Sequence, residues 1–459
     1  MMGKVLCFLC LVIISACNRK HLQFPEATAP LPANEKFSLV REFNSTEMHT
    51  FKSFMEIPGL ERVIRNGFTH NPRWKSQLAQ LEVVRARYGL AKSDSLPSFN
   101  AKAGFQKGRE NTRESGFSEE STPDLTGGAM FNWEIDLWGK WRSVKKSASM
   151  HIREAEFLQE AAAISFSHEI AQAWILLAAQ KEQAEIIAKS IASQGKALQL
   201  YKSMVNTGGE ENATLALENL AYRRLLIKQA KQKRLYKVNK VRLQSLTGNP
   251  LNSSLPELLC ISQIKLPQLP NVFPTVALKG RPDLLAKEAK LRVNLYLEKS
   301  KKYDLYPSLT FQASGLSLGS NLSEPFKQWK ASMGPVLNLP LWSPRKKSEL
   351  RYTMAKSEVY KQEWKALINL AIEEIEVATK SFIMGQNELS LANRAHQESL
   401  KILSISKEKF RAGLLSSLEL WMDEQKAWET ESQLISTRLQ LFQFALELSK
   451  SLGLKIKKA

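Results

Sequence analysis

The side chains able to do chemistry in this 459-residue chain are poorly spaced for catalysis. Its six histidines (His21, His49, His70, His151, His168 and His396) share no metal-ligand spacing, and no G-x-S-x-G, Walker or H-E-x-x-H run occurs. Paired carboxylates such as Glu373–Glu374 fall in long helical stretches, where they suit a solvated face. No enzyme activity, metal or dissociable cofactor is expected. The acids that stand out lie at two short turns: "VNTGGEENATL" (205–215), with Glu210 and Glu211, and "FRAGLLSSLEL" (410–420), with Glu419, followed by Asp423 and Glu424. Gly208, Gly209 and Gly413 mark these turns, because glycine takes the left-handed backbone that ends a helix. In a chain of net charge +20, such acids either focus a negative potential or simply complement a helix N-terminus.

Cys7 and Cys10 form a C-x-x-C that suggests zinc or redox chemistry, but they sit inside an apolar run from Val5 to Ile14 behind Lys4. That run is too short to span a bilayer and fits a leader peptide. It ends in "ISAC", which resembles the bacterial lipobox. The resemblance implies a leader over 1–16, a diacylglyceryl group on Cys17 and, with Asn18 following, sorting to the outer membrane. Only Cys17 and Cys260 then remain, so no intramolecular disulfide is expected. The basic charge is spread along helical stretches without interleaved aromatic recognition motifs, which argues against a nucleic-acid partner.

The elements that position the turns come in duplicate. "NPRWKSQLAQLEVVRARYGLAKSDSLPSF" from Asn71 matches "RPDLLAKEAKLRVNLYLEKSKKYDLYPSL" from Arg281, with Pro72 and Pro97 each 210 residues before Pro282 and Pro307. "NWEIDLWGKWRSVKKS" (from Asn132) is echoed by "NLPLWSPRKKS" (from Asn338), placing Trp138 and Trp342 204 residues apart. "SLTG" ending at Gly248 and "SLG" ending at Gly453 are 205 apart. We read a tandem duplication, 61–248 and 276–453, joined by a linker over 249–275; a segment over 17–60 precedes it and a basic tail over 454–459 follows. Each repeat reads as helix, strand, polar loop, strand, long helix, turn and helix. The first runs 62–93, 97–106, 128–137, 141–205 and 213–247, with a polar loop at 107–127. The second runs 276–303, 307–315, 331–341, 344–411 and 418–452, with a polar loop at 316–328. Five prolines between Asn249 and Pro274 exclude helix or central strand there. Ser343 and Pro344 read as an N-cap and N1 pair.

Two features set the architecture. The stretch from Trp141 to Val205 has no proline and carries apolar residues at three- and four-residue steps, giving a helix about 95 Å long. Helices of that length belong in coiled coils or tubes. The strands alternate apolar and polar residues over about ten positions, as membrane-spanning barrel strands do, although a soluble sheet with one buried face has the same period. Trp133, Trp138, Trp141, Trp329 and Trp342 lie in or beside them, where an interfacial aromatic girdle would sit. Four strands cannot close a barrel, whose minimum is about eight, so an oligomer is required.

With "FNWEIDLWGK" (131–140), "LPQLPNVFPTVALKGRPD" (266–283), "FRAGLLSSLEL" (410–420) and the doubled plan together, the chain resembles the TolC-like outer-membrane efflux proteins, and more closely their lipoprotein branch. The resemblance implies a mainly α fold with a transmembrane β part. Three copies form a 12-stranded barrel on an α-helical tunnel, in contact with outer-membrane lipid, a periplasmic membrane-fusion adaptor and an inner-membrane pump. The 249–275 linker would belong to the equatorial girdle, and the polar loops would face outward. The two turns become the periplasmic tip where the adaptor docks, at Gly208, Gly209, Gly413 and Leu414. Glu419, Asp423, Glu210 and Glu211 become gate candidates, and Arg411 could pair with Glu419 or a neighbouring protomer. "LELWMDEQ" departs from the family pattern, with Met422 where an Asp is usual and Asp423 one place later, which puts the inward direction of Asp423 in question. Within the family, a type I protein-secretion duct is the alternative; outside it, a structural coiled-coil lipoprotein or a soluble nucleic-acid-binding bundle.

Overall fold

The computed structural model describes residues 55, 57–107, 123–207, 212–250, 258–268, 278–319 and 328–454. The first repeat comprises α1 (Leu60–His70), α2 (Pro72–Ser93), β1 (Ser98–Lys107), β2 (Pro123–Ile135), α3 (Lys140–Asn206) and α4 (Asn212–Thr247). After a 3-10 turn at Ile261–Gln263 come α5 (Pro282–Tyr303), β3 (Ser308–Gly319), β4 (Gln328–Asn338), α6 (Pro344–Arg411) and α7 (Ser417–Ser451).

Local chemistry corrects several sequence-based boundaries. The helix expected over 62–93 is two helices. Pro72 lacks the N–H that would continue α1, and extended Asn71 caps α2 by accepting from the amides of Arg73 (2.8 Å) and Trp74 (3.2 Å). The helix expected from 276 is continuous only from Pro282, which follows an extended Arg281. β2 runs from Pro123 to Ile135 and β4 ends at Asn338, so Leu137, Leu339 and Leu341 lie in the bends and not in strands. Ser343 precedes Pro344 as expected, but its side chain makes no capping hydrogen bond, its backbone being near φ −138° and ψ 74°.

The duplication has a structural signature. The Asn71 amide group donates to the carbonyls of Leu246 (2.8 Å) and Ser245 (3.2 Å), closing the end of α4 onto the start of α2. In the second repeat Arg281 does the equivalent, its guanidinium donating to the Ser451 carbonyl at the end of α7 (3.0 Å). Arg281 also holds Asp283 (2.7 Å) and Glu374 (2.8 Å), and the guanidinium holds the Asp283 carboxyl below its ordinary range against the opposing effect of burial. Gly248 and Gly453, at φ +67° and +69°, supply the left-handed residues after the two helices.

The two long helices of 67 and 68 residues each span about 100 Å at 1.5 Å per residue. Their core runs along α3, against which α1 and α7 each pack: Ile64, Ile170, Trp174, Leu177, Phe442 and Leu448 are almost wholly buried. His168 sits in this core. Its Nδ1–H donates to the Ile164 carbonyl (2.8 Å), and its Nε2 accepts from the Ser449 hydroxyl (3.0 Å). Burial lowers its pKa to about 4, so this histidine is a neutral strut between α3 and α7.

The strands form one antiparallel sheet in the order β1-β2-β3-β4. Registers such as Phe99↔Phe131, Phe131↔Ala313 and Ala313↔Met333 put the apolar alternation of all four strands on a single face. Among the described residues the outer edges of β1 and β4 pair with nothing.

Candidate functional site

The functional geometry has three parts: the sheet wall, the corners where strands become long helices, and the tip where long helices turn back.

On the wall, Phe99, Phe131, Phe311, Trp329 and Met333 share the apolar face with small residues, whereas Asn100, Lys102, Asn132, Gln312, Ser332 and Lys330 occupy the other. Phe99, Trp329 and Met333 are 71%, 76% and 78% exposed. A sheet with a broad uncovered apolar face and a hydrophilic reverse is arranged to separate lipid from water. Trp133 belongs to the apolar face, as the alternation implied.

The corners use more chemistry than the sequence pattern revealed. Gly139, at φ +91°, turns the chain out of the sheet, and Asp136 receives the first amides of α3, Trp141 at 3.2 Å and Arg142 at 2.9 Å. Lys140 bridges Glu134 and Asp304, each at 3.1 Å, and so ties the first corner to the end of α5. The Trp138 indole N–H donates to the Pro307 carbonyl (2.7 Å), and its ring meets Tyr306 edge-on at 5.4 Å. Asp136, Lys140 and Asp304 were not singled out from sequence; an Asp three residues before a left-handed Gly at a strand end is the cue for the first of them. Trp141, expected in the girdle, lies at the start of α3. It is half-buried in the first turn of α3, with its indole nitrogen enclosed by protein and the Lys140 ammonium 4.7 Å from its ring. Trp342 is exposed.

At the α6–α7 tip, Gly413 is left-handed (φ +75°). Its amide and that of Leu414 bond back to the carbonyls of Phe410 (3.0 Å) and Lys409 (2.8 Å), the Schellman pattern. Leu414 projects into solvent. Ser416 starts α7 through a capping box. Its hydroxyl accepts from the Glu419 amide (3.2 Å), while the Glu419 carboxylate accepts from the Ser416 amide (3.0 Å) and hydroxyl (2.8 Å). Those bonds hold the Glu419 pKa below its ordinary value and turn its carboxylate back onto its own helix start. Arg411 is exposed, and among the described residues it forms no ion pair with Glu419.

Asp423 faces α6. Its carboxylate accepts from the Ser406 hydroxyl (2.6 Å) and pairs with Lys426 (3.2 Å), and the Ser406 bond foremost lowers its pKa. The next two residues face α3: Glu424 accepts from the Ser193 hydroxyl (2.9 Å), and Gln425 donates to the Ser190 carbonyl (3.2 Å). Gln194 of α3 in turn donates to Glu218 of α4. The polar residues behind the tip therefore stitch α7 to both long helices. Sequence reasoning saw the acids but not their partners, Ser406 and Ser193, since serines on long helices carry no distinguishing signal. Gly208, Gly209, Glu210 and Glu211 of the first tip, and Cys17, lie outside the described residues.

A lipid-facing sheet mounted on paired helices of about 100 Å is the build of a protomer of an outer-membrane duct. The family model for the outer membrane efflux protein matches residues 64–249 and 273–454, and the chain belongs to that family. Among curated relatives, the probable efflux pump outer membrane protein TtgC of Pseudomonas putida is 21% identical over 417 residues, covering 88% of this chain and 84% of that one. The pyoverdine export outer membrane protein OpmQ of Pseudomonas aeruginosa is 20% identical over 455 residues, 96% and 94% of the two chains. Among solved structures, the open-state MtrE outer membrane channel of Neisseria gonorrhoeae superimposes with a TM-score of 0.80 at 17% identity, covering 92% of this chain and 97% of that one. CusC gives a TM-score of 0.79 at 17% identity over 93% and 97%.

Proposed function

We propose that three copies of this chain form the passive exit duct of a tripartite efflux system, anchored by lipid at Cys17. The observation that carries the reading is the four-stranded sheet with two unpaired edges and one apolar face, attached to two long helix pairs. Open edges call for further strands, and a membrane admits only a closed barrel. Three protomers supply twelve strands, with the hydrophilic face of the sheet lining the pore. The long helices continue this wall into the periplasm as a tunnel. The tip receives a membrane-fusion adaptor, and the inner-membrane pump supplies the work.

The duct itself needs no catalytic group. Opening consists of a shift of α7 against α6 and α3 at the tip, driven by the adaptor's stronger contacts with the open arrangement. The bonds of Asp423, Glu424 and Gln425 are the ones that such a shift must exchange. Relatives named for efflux pumps and for pyoverdine export favour small compounds over secreted proteins as cargo. Native mass measurement of the detergent-extracted protein tests the assembly: a mass of three lipidated protomers is expected, and a monomer at membrane concentrations overturns the reading.

A further inference from the structure

The exposed Trp342 has an internal twin whose partner is known, and the twin identifies what covers it. In the first corner the Leu137 amide bonds to the Ile135 carbonyl (2.9 Å); in the second the Leu341 amide bonds to the Leu339 carbonyl (2.9 Å). Trp138 and Trp342 therefore leave equivalent backbone bends. Trp138 is 38% exposed because it reaches across to the other repeat, bonding the Pro307 carbonyl and packing on Tyr306 just before β3. Trp342 is 69% exposed, beside Leu341 at 93%. The segment equivalent to Tyr306–Pro307 is Leu96–Pro97, just before β1, and Leu96 is itself 53% exposed. Both halves of the second contact exist on one chain, at opposite edges of its sheet.

The helices below repeat this asymmetry. α3 packs against α2 of its own repeat and against α5 of the other. α6 packs against α5 of its own repeat, but among the described residues no helix takes the place that α5 takes beside α3. By the repeat equivalence that place belongs to an α2, and α2 carries exposed Val83 and Leu90 on one side of the helix. Strand parity agrees. Carrying the β2–β3 register over by the corner landmarks sets Leu337 of β4 beside Ala101 of β1 and Met333 beside Phe105, apolar face to apolar face.

We propose that Trp342 of one protomer docks on Leu96–Pro97 of a second copy of this chain, its indole N–H donating to the Pro97 carbonyl, so that the subunit joint repeats the joint between repeats. This inference rests on the trimeric reading above and adds its contact residues. One difference follows from the sequence. Leu96 stands where Tyr306 stands, so the joint between subunits keeps the hydrogen bond but replaces an aromatic pair with an aliphatic contact. Pro344 stands where Lys140 stands, so the Lys140–Asp304 ion pair has no lysine counterpart there.

The test uses two differently tagged full-length copies, both carrying Cys260→Ser. One also carries Leu96→Cys and the other Trp342→Cys, and they are co-expressed in the outer membrane and treated with a short thiol-to-thiol cross-linker. A product bearing both tags is expected, with neither variant giving it when expressed alone. Native mass is read on the same samples. Trimers without any doubly tagged product overturn the docking while leaving the trimer intact; monomers in the unmodified protein overturn the trimer and the docking together. Trp342→Phe, which keeps the ring and deletes only the donor, provides the second reading. The trimer should dissociate at lower temperature while protomer helicity persists, and an unchanged dissociation temperature overturns the hydrogen bond.

Discussion

Removing the Ser406 hydroxyl should loosen the periplasmic end of the duct. Ser406 donates at 2.6 Å to Asp423, whose side chain is 18% exposed, and this bond joins α6 to α7 behind the tip. Hydrogen bonds to a charged group contribute about 1.5–3 kcal/mol; partial solvent access and the competing Lys426 reduce this to about 1 kcal/mol. If three protomers open together, Ser406→Ala shifts the closed-to-open balance by about 3 kcal/mol, roughly a hundredfold. Open probability in a planar bilayer at fixed voltage is the assay, with Ser404→Ala as control, since that hydroxyl bonds only within α6, to Lys401. Asp423→Asn, which keeps an acceptor but not the charge, should fall between wild type and Ser406→Ala. The same bond sets a pH dependence. Because the Asp423 carboxyl is held below its ordinary value of 3.8 in this conformation, its contribution is present above that value and is lost as pH falls below it, so acid should mimic the mutation. An open probability unchanged by Ser406→Ala would show that this bond does not hold the tip.

Other perturbations separate the roles of the remaining residues. Gly248→Ala places a Cβ within 2.7–2.9 Å of His70 and Asn71 backbone atoms at φ +67°, whereas at Gly413 (φ +75°) nothing lies within 4 Å. Thermal unfolding should therefore show a loss of about 1–2 kcal/mol for Gly413→Ala, from backbone strain alone, and a larger loss for Gly248→Ala. Trp138→Phe should cost about 0.5–1.5 kcal/mol in chemical denaturation, the worth of one neutral hydrogen bond. Arg281→Ala removes the link between the start of α5 and the end of α7 and leaves Asp283 without its guanidinium. A loss of about 2 kcal/mol is expected, moderated by solvent at Asp283 and Glu374. Cys17→Ser should abolish incorporation of radiolabelled palmitate while leaving the far-ultraviolet dichroism of the folded protein unchanged.

The sequence was most readable where geometry imposes a period. Strand alternation gave the two faces of the sheet because a pleated strand leaves only two. Single capping residues were harder. Asn71 and Pro72 split a helix that the apolar pattern carried straight through, because a proline at N1 is compatible with helix on its downstream side only. Ser343 had the right type and position for a cap, yet its backbone, near φ −138° and ψ 74°, brings its hydroxyl to no helix amide. The tip acids show the deeper limit. Residue type marked Glu419 and Asp423, but their orientation depends on Ser416 and Ser406, and a serine is visible as a partner only once helices are placed side by side.

Single-channel recording of the purified protein in a planar bilayer decides whether this chain conducts. Discrete conductance steps from a trimer are expected, with dwell times in the open level lengthened by Ser406→Ala. A trimer that inserts into lipid yet passes no current, even with the tip loosened in this way, would contradict the claim that this chain forms a duct.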